Sequence, residues 1–165
     1  MKTQKKKIIK VVKKNVKKQS SDNKSDEIQN KTRKRERSIV DDYIDLHNEY
    51  EVKYGKNKML VIMEVGSFYE TYATETEGPD LLEISNLLNV VRTRKDKSAP
   101  EICREAPYML GFQKASETRH INTLINNNYT VIEVNQEFMG VNSSGKKEFK
   151  RKVSNVYSAG TFIDG

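Results

Sequence analysis

The sequence is poor in the residues that build covalently stabilised or metal-stabilised folds. Its 165 residues include one cysteine, Cys103, and two histidines, His47 and His120, which stand alone. A single cysteine excludes an internal disulfide, cannot form a zinc site and favours a reducing compartment. Isolated histidines indicate structural or solvated side chains. The sequence therefore predicts neither a metal site nor catalytic residues.

Long apolar runs and nucleotide-binding loops are also missing. No apolar stretch approaches the roughly 18 residues that a membrane-spanning helix needs, and no signal-peptide core follows Met1. The segment Gly145-Lys146-Lys147 lacks the Ser or Thr that follows the lysine in a phosphate-binding loop. We expect a soluble protein that has no membrane partner and binds no cofactor through these residues.

Charge is distributed unevenly along the chain. Residues 1–37 hold 15 Lys/Arg and 4 Asp/Glu, whereas residues 38–165 hold 15 and 19. A segment so charged and so poor in aromatic residues cannot bury enough apolar surface to offset its ordering entropy. The sequence predicts a disordered lysine-rich tail over residues 1–37 and one folded domain over residues 38–165. Such a tail binds polyanions without sequence preference, or serves only as a solvating or nuclear-address segment.

The predicted domain alternates helix and strand patterns. Ser38 and Asp41 form a capping-box pattern before a helical periodicity that ends at Gly55, and the apolar run Met59–Val65 predicts a strand covered on both faces. Further helices are expected with Pro79 in the first turn of one and after a Ser116 cap in the other, which a left-handed Asn128 closes; residues 94–106 are expected to form a polar loop. Further strands are predicted over residues 69–72, 89–93, 107–111, 129–134 and 149–157. This order indicates a mixed α/β fold with a central sheet and flanking helices.

The turn after the first strand carries the candidate functional residues. Gly66 allows a sharp bend, and Ser67 precedes Phe68-Tyr69-Glu70. Because side chains alternate along a strand, Phe68 and Glu70 would project from one side while Tyr69 enters the core. Taken alone, the six residues 65–70 favour a core Phe68 and a solvated Glu70 at a helix start.

Several motifs resemble the N-terminal mismatch-recognition domain of the MutS family of DNA mismatch repair proteins. The likeness covers about residues 40–164 and rests on four motifs, which are Gly-Ser-Phe-Tyr-Glu at 66–70, Ala-Pro-Tyr-Met-Leu-Gly at 106–111, Asn-Tyr-Thr-Val at 128–131 and Ala-Gly-Thr at 159–161. Ser67, Asn128 and Ala159 replace the aspartate, glycine and proline usual in the family. The family's Val-Pro-Tyr-His segment is Phe-Gln-Lys-Ala at 112–115, so no histidine role carries over.

The resemblance implies roles for the turn. Phe68 would wedge into the minor groove beside a mispaired base in double-stranded DNA, and Glu70 would hydrogen-bond to that base, with Gly66 and Ser67 shaping the approach. Arg92, Arg94 and Lys95 are further candidates for phosphate contacts, although a polar loop with a few cations is ordinarily solvated. The lysine-rich tail fits a divergent viral or organellar branch of the family.

The resemblance also implies partners outside these residues. Family proteins carry connector, lever, clamp and ATPase domains and act as dimers, so ATP and magnesium are expected only for those domains, and a second MutS-like subunit is an expected partner. The prediction is a non-enzymatic mismatch-recognition module in a DNA-containing compartment. Two alternatives remain open, a small basic protein that binds nucleic acid through its tail, and a metal-dependent nuclease built on Asp80, Glu148 and Lys150.

Overall fold

The structure, a computed structural model, describes residues 35–160. In chain order the elements are α1 (Ile39–Tyr54), β1 (Met59–Val65), β2 (Phe68–Ala73), α2 (Leu81–Leu88), β3 (Thr93–Arg94), β4 (Tyr108–Gln113), a 3-10 turn (Lys114–Ser116), α3 (Glu117–Asn126), β5 (Thr130–Val141) and β6 (Lys147–Tyr157). The predicted tail disorder lies outside the described residues except for residues 35–37, and so does Thr161 of the closing motif.

The six strands within residues 35–160 form one mixed sheet in the order β3-β4-β2-β1-β5-β6. β1 runs parallel to β5, and every other neighbouring pair is antiparallel. The prediction of a mixed α/β fold is confirmed. None of the helices in this range is long and apolar enough to cross a membrane.

Alternate residues of β1 serve two separate cores. Leu60 and Ile62 pack in the cluster that contains α2 and α3, whereas Met59, Val61 and Met63 pack in the cluster that contains α1. Helices therefore lie on both faces of the sheet, which explains why β1 reads as a continuous apolar run rather than an alternating one. The predicted bounds of this strand, Met59–Val65, are confirmed.

The helix starts follow the predicted chemistry to different degrees. The capping box of α1 is confirmed, because Ser38 Oγ accepts from the Asp41 N–H at 3.3 Å and Asp41 accepts from the Ser38 N–H at 2.9 Å. Asp80 caps α2 by accepting hydrogen bonds from the N–H groups of Leu82 and Glu83, so Pro79 precedes the helix and its predicted place in the first turn is wrong. Ser116 occupies the cap position of α3 but makes no side-chain cap hydrogen bond, because a 3-10 turn leads into that helix, so the predicted cap is wrong.

Local contacts explain two of the strand predictions that were wrong in their bounds. Asn89 adopts a left-handed conformation that ends α2, and the Ser85 hydroxyl donates to the Val90 carbonyl at 2.6 Å, so this segment closes a helix and only Thr93–Arg94 pairs as a strand. Gly111 does not stop β4 but lies within it, paired with Glu70. The left-handed conformation of Asn128 is confirmed by its φ of 66°.

Arg104 anchors the polar loop between β3 and β4. Its guanidinium donates to both carboxylate oxygens of Glu77 at 2.7 and 2.6 Å and to Asp41 in α1 at 3.2 Å. The hydrogen bond from Arg104 lowers the pKa of the Glu77 carboxyl. This loop is therefore tied both to α1 and to the connection between β2 and α2.

Candidate nucleic-acid interface

The β1–β2 hairpin places the candidate residues at one end of the sheet. Val65 pairs with Phe68, so Gly66 and Ser67 form a two-residue turn. Gly66 has a φ of 61°, a value that a hairpin turn of this length demands and that glycine adopts without strain. The bend that the sequence predicted at Gly66 is present.

Two neighbouring segments hold the tip of the hairpin. The Gln136 amide of β5 accepts from the Gly66 N–H at 3.3 Å and donates to the Gly66 carbonyl at 3.2 Å. On the other side, the Lys114 N–H donates to the Ser67 carbonyl at 3.1 Å. The two turn residues are therefore hydrogen-bonded to both flanks of the sheet rather than projecting as a free loop.

The three residues after the turn alternate as predicted. Phe68 is 43% exposed, Tyr69 is 1% exposed within the core, and Glu70 is half-buried on the same side as Phe68. The alternative of a core Phe68 before a helix start is wrong, because these residues belong to β2 and the aromatic ring faces outward. An exposed aromatic side chain at the tip of a hydrogen-bonded hairpin is the most distinctive feature of this end of the sheet.

Helix α1 leaves part of its own sheet face uncovered. It shares a core cluster with Met59, Val61, Met63 and Tyr72, whereas Phe68 and Gln113 beside the turn are exposed on the same face. Strand alternation and cross-strand pairing place the uncovered residues on that same face. We call this area the open surface, and it consists of Phe68, Glu70, Gly111, Gln113, Gln136 and Arg151.

Glu70 is positioned by its neighbours on the open surface. The Tyr72 hydroxyl donates to Glu70 Oε2. Burial and this hydrogen bond raise the pKa of Tyr72, so the hydroxyl remains a donor. The cross-strand partner of Glu70 is Gly111, which has no side chain to cover the carboxylate. Within the described residues Oε1 of Glu70 receives no hydrogen bond, so one oxygen can accept from a ligand.

A buried polar network lies behind the hairpin on the opposite face. The Tyr69 hydroxyl donates to Glu133 at 3.4 Å and accepts from Asn135 at 2.9 Å, and Asn135 also donates to Glu64 at 2.6 Å. Lys114 forms an ion pair with Glu64 at 3.2 Å. These contacts fix the ring of Tyr69, and with it the direction in which Phe68 and Glu70 leave the strand.

Glu117 at the start of α3 completes this network. Burial and a hydrogen bond shared with the Glu133 carboxyl raise the pKa of Glu117 to about 7. A proton on this pair removes the repulsion between two neighbouring carboxylates. The repulsion returns as pH rises through the pKa of Glu117.

The Glu117 pKa makes stability depend on pH in a definite direction. Because the folded-state pKa lies above the usual value of 4.5, the stabilisation is present below pH 4.5 and is lost as pH rises through 7. We expect the free energy of unfolding to fall by about 1 kcal/mol between pH 5 and pH 8, a value reduced for partial solvent screening.

Urea unfolding of Glu117→Gln at the two pH values checks this expectation. The substituted side chain keeps a donor toward Glu133 but cannot ionise, so the fall should disappear. Glu49→Gln, at an exposed carboxylate on α1, is the matched control and should retain the wild-type difference. An unchanged slope in Glu117→Gln would contradict the shared proton.

The three cations proposed for phosphate contact lie at the other end of β2 and β4. Arg94 pairs with Tyr108, which in turn pairs with Ala73, the last residue of β2. The guanidinium of Arg92 lies 3.8 Å from the ring centroid of Tyr108, and Arg94 donates to the Ala99 carbonyl at 2.8 Å. Lys95 Nζ lies 5.0 Å from the ring centroid of Tyr72. The structure does not bring these cations together with Phe68.

Other polar residues weighed in the sequence have structural partners. His47 bonds to Glu51 at 2.7 Å and His120 packs against Phe112, and burial lowers the pKa of both imidazoles. No group of three or more His, Cys, Asp or Glu side chains within residues 35–160 is arranged to hold a metal ion.

The residues of the nuclease alternative do not converge. Asp80 caps α2 and lines a small cavity with Met59, the first residue of β1. Glu148 and Lys150 lie on β6 beside the part of β5 that extends past the last residue of β1. The seven residues of β1 separate the two locations by about 20 Å, at roughly 3.3 Å per residue.

Several residues of this interface carried no signal in the sequence. Gln136 and Lys114 hold the turn from segments 70 and 47 residues away, and Tyr72 and Arg151 complete the open surface. A polar residue in an extended segment gives no indication of its partner when the contact depends on strand order. Only the placement of β5 beside β1 brings Gln136 to Gly66.

Comparison with known proteins agrees with this geometry. The family model for MutS domain I matches residues 46–165, which is most of the chain. A protein of Acanthamoeba polyphaga mimivirus, named a DNA mismatch repair protein and MutS homolog, is 29% identical over 123 residues. The match covers 73% of this chain and 10% of the mimivirus protein, so the chain spans about a tenth of the length of this curated relative. The chain belongs to the MutS family and contains its domain I.

Proposed function

We propose that this chain recognises mispaired bases in double-stranded DNA as the domain I of a MutS-like mismatch repair protein. The observation that carries the proposal is the exposed ring of Phe68 on a hairpin whose turn is hydrogen-bonded on both flanks, with Glu70 on the same side. Family membership supports it, because domain I is the mismatch-recognition domain of MutS proteins.

Phe68 acts as the wedge. Inserting an apolar side chain into the minor groove unstacks a base step and kinks the duplex, at a cost of roughly a few kcal/mol. The cost is smaller where pairing is already defective, so mismatched DNA is selected by its deformability. Stacking on an aromatic face tolerates every base, at roughly 1–3 kcal/mol per base, which suits a sensor of many different mispairs.

Glu70 supplies discrimination against correct duplex. A carboxylate close to phosphates is repelled unless it gains a specific hydrogen bond, and a mispaired base offers a displaced ring N–H. Oε1 of Glu70 accepts that hydrogen bond, while Tyr72 holds Oε2. A normal base pair leaves the charge uncompensated, so its binding is weaker.

The proposed role is binding rather than catalysis. ATP and magnesium bind to other domains of the family. Those domains and a second MutS-like subunit are the partners expected to hold this surface against DNA. The basic tail adds sequence-independent attraction to phosphates. Arg92, Arg94 and Lys95 contribute at most peripheral phosphate contacts, because they lie at the far end of β2 from the wedge.

Fluorescence anisotropy with a labelled duplex tests the proposal and separates it from tail-only binding. The full chain should bind a duplex with one mispair more tightly than the matched duplex, and deletion of residues 1–37 should weaken both while keeping their ratio. Glu70→Gln should reduce the ratio of the two affinities by roughly 5- to 10-fold through tighter binding of matched duplex, because it removes a charge that a normal base pair leaves uncompensated; this change corresponds to about 1–1.4 kcal/mol.

Glu101→Gln is the matched control, because it removes an exposed carboxylate from the loop that precedes Arg104. If wild type and Glu70→Gln had the same ratio of affinities for mispaired and matched duplex, the proposed role of Glu70 would be wrong. Equal binding of matched and mispaired duplex by the wild type, with all binding lost on removing the tail, would favour the small basic protein instead.

A further inference from the structure

The hairpin formed by β5 and β6 extends beyond the rest of the sheet. β5 pairs with β1 only as far as Val134, and from there it pairs with β6 alone out to Val141. We call residues 136–152 the ribbon. At roughly 3.3 Å per residue, the five steps from Gln136 to Val141 carry the ribbon about 17 Å past the β1–β2 turn, which corresponds to about five base pairs of duplex.

The ribbon concentrates the positive charge of the folded region. It holds five of the 15 Lys/Arg of residues 38–165 but only two of the 19 Asp/Glu. Without the ribbon this region would carry a net charge of −7. Lys146, Lys147, Lys150 and Lys152 are exposed and form no ion pair within residues 35–160.

An exposed aromatic pair lies on the ribbon close to the open surface. Phe138 and Phe149 are cross-strand partners with ring centroids 5.8 Å apart, and they remain 56% and 42% exposed. Gln136 and Arg151, the next pair on the same side, already belong to the open surface. Alternation along β6 places Lys147, Phe149 and Arg151 on this side and Lys150 and Lys152 on the other.

We infer that this side of the ribbon is a second DNA contact, which binds the sugar–phosphate backbone on one flank of the mispair. The inference rests on the proposed function, because it takes the duplex to lie on Phe68. Lys147 and Arg151 contact phosphate groups of the DNA, and the Phe138–Phe149 pair packs against the apolar edges of deoxyribose. Such contacts set the register of the duplex and carry no sequence information, so the ribbon strengthens binding to matched and mispaired duplex alike.

The two faces of β6 provide a matched test. In the full chain, Lys147→Gln should weaken binding to both duplexes about threefold, and should reduce the slope of log K against log[salt] by about 0.9, the effect of one lost phosphate contact. Lys150→Gln removes the same charge three residues away from the opposite face, so its slope should match the wild type. Phe138→Ala/Phe149→Ala should weaken both duplexes roughly fivefold without changing their ratio.

The outcomes separate this inference from the proposed function. Equal slopes for Lys147→Gln and Lys150→Gln, or unchanged affinity of the double phenylalanine variant, would overturn the ribbon contact alone. A wild type that binds both duplexes equally would overturn the proposed function, and the ribbon contact with it. Unchanged DNA binding with loss of a dimer in sedimentation would show that the ribbon instead contacts a second copy of this chain.

Discussion

Phe68→Ala should abolish most of the preference for mispaired over matched duplex. The ring is 43% exposed at the tip of the β1–β2 hairpin, so its removal takes away the wedge while the core loses little. With one stacking contact of roughly 1–3 kcal/mol lost, affinity for a mispaired duplex should fall about 10- to 100-fold. Affinity for the matched duplex should change by less than about threefold, because the ring does not enter an intact stack.

Anisotropy titrations of both duplexes measure this ratio, and thermal unfolding confirms that the fold is retained. Leu82→Ala is the control, since Leu82 is a 56% exposed apolar residue on α2, across the sheet from the open surface. Phe68→Leu should give an intermediate ratio, because it keeps an apolar wedge without a face for stacking. A Phe68→Ala protein that kept the wild-type ratio would rule out the wedge.

Gly78→Ala should be among the most destabilising single substitutions in this domain. Gly78 has a φ of 89°, and a Cβ at this position would lie 2.7 Å from the Tyr72 carbonyl oxygen and 2.9 Å from Ala73 Cα. Both atoms belong to the part of β2 that pairs with β4, so this backbone cannot shift without losing ladder hydrogen bonds. We expect a loss of about 2–4 kcal/mol in the free energy of unfolding, because backbone strain and a clash with backbone atoms act together.

Gly145→Ala separates the two causes of that loss. Gly145 has a φ of 80° in the turn between β5 and β6, and a Cβ there would have no neighbouring atom within 4 Å. This substitution brings the backbone strain without the clash and should cost about 1 kcal/mol. Urea unfolding of the two variants under the same conditions gives the comparison, and equal losses would show that the contact with β2 relaxes freely.

Local chemistry accounts for the parts of the fold that the sequence predicted. Met59–Val65 reads as a strand because an unbroken apolar run of this length is stable only when both faces are covered. The start of α1 was predicted because Ser38 and Asp41 satisfy each other's backbone donors within four residues. The alternation of Phe68, Tyr69 and Glu70 follows from strand geometry once β2 is accepted as a strand.

Some predictions of secondary structure failed because the local sequence is compatible with two conformations. Residues 89–93 are β-branched enough for a strand, but Asn89 is well suited to a left-handed helix end, and the Ser85–Val90 hydrogen bond secures that choice. The phosphate contacts of Arg92, Arg94 and Lys95 stay a prediction, and strand order places these cations at the far end of β2 from Phe68. The extension of β5 to Val141 was missed because a solvated ribbon has no apolar periodicity to reveal it.

The sequence was sufficient to predict the positions of Gly66, Phe68 and Glu70 relative to one another, because these residues are close together in the chain and strand geometry fixes their side chains. The surface around them could not be predicted, because it depends on which strands are neighbours. The order β4-β2-β1-β5-β6 brings Gly111 beside Glu70, Gln136 to the Gly66 backbone and the basic ribbon to the side that Phe68 faces. The most distant of these contacts joins residues 70 positions apart, and they exist because both faces of β1 are buried and its two edges are hydrogen-bonded to β2 and β5.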